Sequence, residues 1–195
     1  MKLRSILFAT VAIAAAGAQA QTHSQHAAPY AGLQTRAIKS LSDEDIAEIR
    51  AGAGWGLALP AELNGQPGPA HLLELQDEIG LSPAQVAEIE AIHQEMQAEA
   101  IAAGERLLAA EAALDAAFAS GTLEPEALRL LVTEAGEARA ALRFVHLSRH
   151  LATPSLLSEA QISRYTVLRG YRDDPCASVP DGHDAEMWRK HNHCD

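Results

Sequence analysis

From Ser82 to Ala119, apolar and small side chains return at alternating steps of three and four: Val86, Ile89, Met96, Ala100, Ala103, Leu107, Ala110 and Leu114. That is one stripe of a 3.6-residue period, and it predicts a single long helix. "SGTLEP" (120–125) interrupts it. A second stripe (Leu128, Leu131, Ala135, Ala138, Leu142, Val145) then predicts a return helix to about Leu151. Two long amphipathic helices with so short a break predict an antiparallel hairpin. Thr153-Pro154 ends the return helix, because a residue before proline is driven out of the α region. Ser158 opens a last helix to about Leu168. Upstream, Ser42–Ala51 and Pro69–Ile79 read as short helices, the second closed by Gly80. The Gly/Pro-rich stretch between them, 51–69, carries Trp55, Leu57, Leu59 and Leu63, which predicts that it lies against the domain. Its glycines follow a helix instead of a strand and lack a Lys-Ser/Thr, so a nucleotide loop is not expected there.

One phrase is written twice. "LSPAQ" at 81–85 returns as "LSEAQ" at 157–161. A serine followed three residues later by glutamine is a capping box: Ser82 accepts from the Gln85 backbone and the Gln85 side chain reaches back, and Ser158 and Gln161 repeat the arrangement. Pro83 stands at the first helical position, where its missing N–H costs nothing. Leu81 with Val86, and Leu157 with Ile162, have the spacing of a hydrophobic staple. "LSDEDI" at 41–46 is a looser third copy.

The chain begins with Lys2 and Arg4, an apolar run from Ile6 to Gly17, and "AQA" ending at Ala20. This is the pattern of a secretory signal peptide over 1–20, and it predicts export to the periplasm of a product starting near Gln21. No other segment approaches ~18 uninterrupted apolar residues, so no membrane insertion is expected. The organisation that follows is a leader (1–20), an N-terminal segment with one short helix and a connector (21–68), a helical domain (69–170) and a tail (171–195). The full chain carries a net charge of −11, and removal of Lys2 and Arg4 takes it to −13. Such acidity argues against nucleic acid as a partner and favours cations. Alanine, leucine and glutamate dominate and aromatics are few, which is an all-α composition.

Catalytic patterns are missing. There is no GxSxG and no HExxH, and the carboxylates are spread along helix faces as solvated surface is. The expectation is a protein that is not an enzyme. The histidines carry more information. His146 and His150 stand four apart on one helix, so both can address one metal ion. With the chain reversing near Thr122, His93 falls within about one turn, ~5 Å, of His150. His93, His146 and His150 are therefore a candidate inter-helix site for Zn²⁺, Cu²⁺, Ni²⁺ or Co²⁺, with Glu90, Met96 or Gln97 nearby. Solvated histidines beside Arg143 and Arg149 are the competing reading.

Beyond Tyr171 the chain is polar and holds both cysteines. In an oxidising compartment Cys176 and Cys194 most simply pair, closing a loop that contributes roughly 3 kcal/mol. A soft metal site of thiolate and imidazole is the alternative. His183, His191 and His193 are weaker metal candidates in the same tail.

A signal peptide, a long helical hairpin and an LTxxQ-type phrase at two helix starts resemble the periplasmic Spy/CpxP family, which includes zinc-resistance-associated proteins and CnrX-type heavy-metal sensors. The resemblance covers about 69–168 and rests on Leu81, Ser82 and Gln85 and on Leu157, Ser158 and Gln161, with Ser in place of the usual Thr. It implies a four-helix domain, an intertwined homodimer with a concave surface, and an envelope-stress role. Relatives hold unfolding client proteins without ATP, act with an inner-membrane sensor protein, or bind transition metals. His146 and His150 match the placement of sensor ligands four apart before the last such phrase, where the second is typically Met. The chaperone relatives are basic on the concave face, whereas this chain is acidic. The functional expectation is a metal-resistance or metal-sensing accessory that binds transition metals, unfolding clients or both. The alternative is an ATP-independent chaperone or adaptor with no metal role.

Overall fold

Three helices of this protein begin with the same chemistry. Ser42, Ser82 and Ser158 are N-caps with extended backbone, each accepting from the N–H three residues on while that residue's side chain reaches back. The computed structural model describes residues 28–192 and 194. The expected leader, the first residues of the 21–68 segment and His193 lie outside the described residues. The chain divides into two units, Met1–Gln34 and Thr35–Asp195. The first is described from residue 28 on, as turns leading into a 3-10 turn at Leu33–Thr35.

Among the described residues the protein is helical, at 67%, with no strand. The order is α1 (Asp43–Ala51), α2 (Leu59–Glu62), α3 (Pro69–Glu74), α4 (Gln76–Ile79), α5 (Pro83–Ala119), α6 (Pro125–Ala152), a 3-10 turn (Thr153–Leu156), α7 (Glu159–Leu168) and α8 (Ala185–His191). Helices α5 and α6 run for 37 and 28 residues and pack against one another more extensively than any other pair. Two features differ from expectation. The helix expected over 69–79 is broken at Leu75, whose φ of −108° and ψ of 19° are not helical, giving α3 and α4. The tail contains α8, capped by Asp184. The connector does lie against the long helices at Leu57, which is buried, but Leu59 and Leu63 are exposed.

Two clusters hold the second unit together. In the first, Ile38, Leu41, Ile49 and Leu57 sit on Ala100, Ala103, Leu107 and Leu108 of α5 and Leu142 of α6. Small residues on α5 let α1 approach closely. A Cβ on Gly104 would lie 2.7 Å from Ile49 Cγ2 and 2.8 Å from Ile49 O. A glycine inside a helix costs about 1 kcal/mol relative to alanine, and here that cost is offset by the crossing it permits. The second cluster joins Leu72, Ile79, Ile89 and Tyr165, with Leu81 and Leu157 of the repeated phrase packed against it.

The connector is fixed by Trp55. Its indole N–H donates to Asp45 Oδ1 at 2.8 Å, and the Arg139 guanidinium lies 4.5 Å from the ring centroid. Bonds from Ser42 and from Trp55 hold the Asp45 carboxyl down at about 2. The tail is closed by the disulfide Cys176–Cys194, which is the pairing expected over a thiolate metal site, and Trp188 Nε1 donates to Pro175 O across the loop.

Candidate functional site

The repeated phrase meets itself. The Gln85 Nε2 donates to Gln161 Oε1 at 2.9 Å, and Gln161 Nε2 donates to Gln85 Oε1 at 3.2 Å. Each amide also donates to the carbonyl two residues before the other copy's serine, Gln85 to Leu156 O and Gln161 to Gly80 O. Each Oε1 accepts its own cap N–H, from Ser82 or Ser158. A capping box needs only an acceptor at its third position; this pairing also needs a donor, which glutamine has and glutamate lacks. The first box, with no second copy to meet, uses Asp45. The two phrases therefore tie the start of α5 to the start of α7, and they form no cavity of their own.

The chemistry lies one layer further along α6. His146 and His150 are 3% and 6% exposed, so the solvated reading of these two does not hold. Both line a cavity of about 340 Å³ that is mainly apolar, with Trp55, Leu59, Met96 and His71 also on its wall. His150 Nδ1 lies 2.7 Å from Gln66 O. A carbonyl only accepts, so Nδ1 carries the proton and Nε2 the lone pair. The ring is pressed against Gly68, where a Cβ would stand 2.5 Å from Nε2 and Cε1. His146 Nε2 is buried with no hydrogen-bond partner. Burial, and then the neighbouring His150, push the His146 imidazole below its usual range, so the neutral form is the one held here.

A polar cluster borders the same cavity. The buried Glu62 carboxylate accepts from the Tyr165 hydroxyl, 2.6 and 2.7 Å from its two oxygens. Burial and that carboxylate keep the Tyr165 phenol protonated well above its ordinary range. His71 Nδ1 meets Glu74 at 2.9 Å, and Arg169 Nη2 stands 3.2 Å from His71 Nε2. Guanidinium only donates, so the Nε2 lone pair of His71 is already used.

His93 is half-buried on α5 and is not part of this cavity wall. On the wall shared with His146 and His150 stand instead Met96, one turn further along α5, and His71 of α3, which no pattern in the sequence singled out. Among the described residues no three His, Cys, Asp or Glu side chains converge to hold a metal ion. In the tail His183 is exposed and stacks edge-on with Trp188 at 4.9 Å, and His191 is exposed on α8. Two larger concavities near the tail, about 520 and 750 Å³, include no unpartnered buried polar atom. No family model, curated protein or solved structure matches this chain.

Proposed function

We propose that this chain is a non-enzymatic, exported protein of the Spy/CpxP type, built as a homodimer on the α5–α6 hairpin, and that it binds a transition metal ion at the His146–His150 cavity in metal resistance or metal sensing. One observation carries the reading: His146 Nε2 is buried, neutral and without a partner on a wall it shares with His150. An unsatisfied buried polar atom costs about 1–3 kcal/mol, and a metal ion accepting that lone pair removes the cost. His150 adds a lone pair whose direction is fixed by a backbone carbonyl on the other ring nitrogen, the usual outer partner of a metal-bound imidazole. The acidity of the chain favours arrival of cations.

The test is thermal unfolding of the full chain with Zn²⁺, Ni²⁺, Co²⁺ or Cu²⁺. A ligand at 100 times its Kd adds about 2.7 kcal/mol. The gain should vanish in His146→Gln and persist in His183→Ala. An unchanged gain in His146→Gln overturns the reading.

A second reading, client holding without metal, has its own observation. On α6 Leu130, Phe144 and Leu151 are 65%, 71% and 80% exposed, and Phe144 and Leu151 are two turns apart on one face. Suppression of client aggregation that is lost in Phe144→Ser and unaffected by His146→Gln would favour it.

A further inference from the structure

The donors around the His146–His150 cavity differ in what they already bind. Both oxygens of Glu62 lie against the Tyr165 hydroxyl, and His71 spends one nitrogen on Glu74 and the other on Arg169. The Glu62 carboxylate, which also lies 3.4 Å from His71 Nε2, and the His71 imidazole thus already have partners within the protein, and Glu62 keeps its charge. What remains is the His146 Nε2, the His150 Nε2 and the thioether of Met96, which is 7% exposed on α5. That set carries no charge. It has two borderline nitrogens and one soft sulfur, on a wall whose apolar part includes Trp55, Leu59 and Ala70.

We propose that the ion this cavity takes is copper(I), held by His146, His150 and Met96. The inference rests on the metal-binding reading above and names its ion. Thioether and imidazole ligands suit Cu(I), which is satisfied by two or three soft donors. A divalent ion fits poorly for an electrostatic reason. Ion desolvation grows as the square of the charge, so Zn²⁺ loses about four times as much hydration energy as a monovalent ion of equal size. The one carboxylate on the wall, Glu62, is held by Tyr165, and the Arg169 guanidinium on the same wall offsets its charge, so no net negative charge is left to replace the lost hydration. Neutral soft ligands in a small apolar space favour the ion with the lower charge.

The experiment is competition of the full chain against bicinchoninate for Cu(I), with ascorbate as reductant, beside calorimetry with Zn²⁺. Native protein, Met96→Leu and His146→Gln are compared, with circular dichroism showing that each is folded. In parallel, the native protein labelled at its methionine methyl carbons is titrated with Ag⁺, a Cu(I) analogue that does not oxidise. The result expected is Cu(I) binding that weakens about tenfold or more in Met96→Leu, the scale on which metal sites respond to loss of a partner. Zn²⁺ should bind more weakly than Cu(I) and be insensitive to that change, and Ag⁺ should shift the Met96 methyl and leave Met187 in place. Divalent binding lost in His146→Gln, together with Cu(I) affinity unchanged in Met96→Leu and a static Met96 methyl, overturns copper(I) and leaves the metal reading standing. If His146→Gln alters the binding of no ion, both readings fail.

Discussion

Gly68 has no side chain because the His150 ring fills the space where one would be. Gly68→Ala must therefore move either the imidazole or the connector, at an overpacking cost of about 1–3 kcal/mol. Urea unfolding should register that loss; a variant as stable as the native chain would show that the ring is not fixed there. The neighbouring histidine makes a prediction in pH. His146 is held below its usual range by burial and by His150, so on acidification the unfolded chain takes up a proton near 6.5 that the folded chain refuses. Stability then rises with pH, and this contribution is lost as pH falls through about 6.5 towards the lower folded value. His146→Gln should flatten the slope between pH 7.5 and 5.5. Equal slopes would contradict the buried, neutral imidazole. At this scale the sequence was read only in part. The i, i+4 spacing of His146 and His150 was visible, but their burial depends on Gly68 and Gln66, which arrive from a connector far away in the chain.

At the scale of elements, the caps and seams were written locally and the docking was not. Serine followed by Asp or Gln fixes the starts of α1, α5 and α7 within one turn, and "SGTLEP" fixes the break between the two long helices. Nothing in either copy of the repeated phrase, taken alone, says that Gln85 and Gln161 bond to each other. Gln85→Glu separates the two roles. Glutamate keeps the capping box but brings a carboxylate against Gln161 Oε1 and Leu156 O, so the loss should be about 1–3 kcal/mol. Ser82→Ala should cost about 1 kcal/mol through the cap alone. A double-mutant cycle between Gln85 and Gln161 should show coupling of about 0.5 kcal/mol or more, and additivity would deny the pairing. Gly104→Ala tests the other junction. A better helix former there would stabilise α5 if the helix stood alone, whereas its Cβ meets the Ile49 backbone, so net destabilisation is expected. A gain in midpoint on chemical unfolding would contradict the crossing of α1 over α5.

For the whole molecule, the all-helical class follows from an Ala/Leu/Glu composition and a 3.6-residue period, and both long helices end within a residue or two of where that period stops. Much of α5 and α6 beyond the first cluster is open to solvent, with Phe118, Leu130 and Phe144 exposed. In the proposed homodimer a second copy covers such surface. Light scattering of the full chain should give twice the chain mass at micromolar concentration, and a stable monomer on dilution would remove the dimer from the account. The metal-binding claim is tested most directly at the two ring nitrogens themselves. In nitrogen-15 spectra of histidine-labelled full-length protein, one equivalent of Zn²⁺ and, separately, of Ag⁺ is added. The account predicts that at least one ion shifts Nε2 of both His146 and His150, while His150 Nδ1 keeps its proton on Gln66 O. Shifts confined to His183 and His191, with His146 unmoved by either ion, would contradict it.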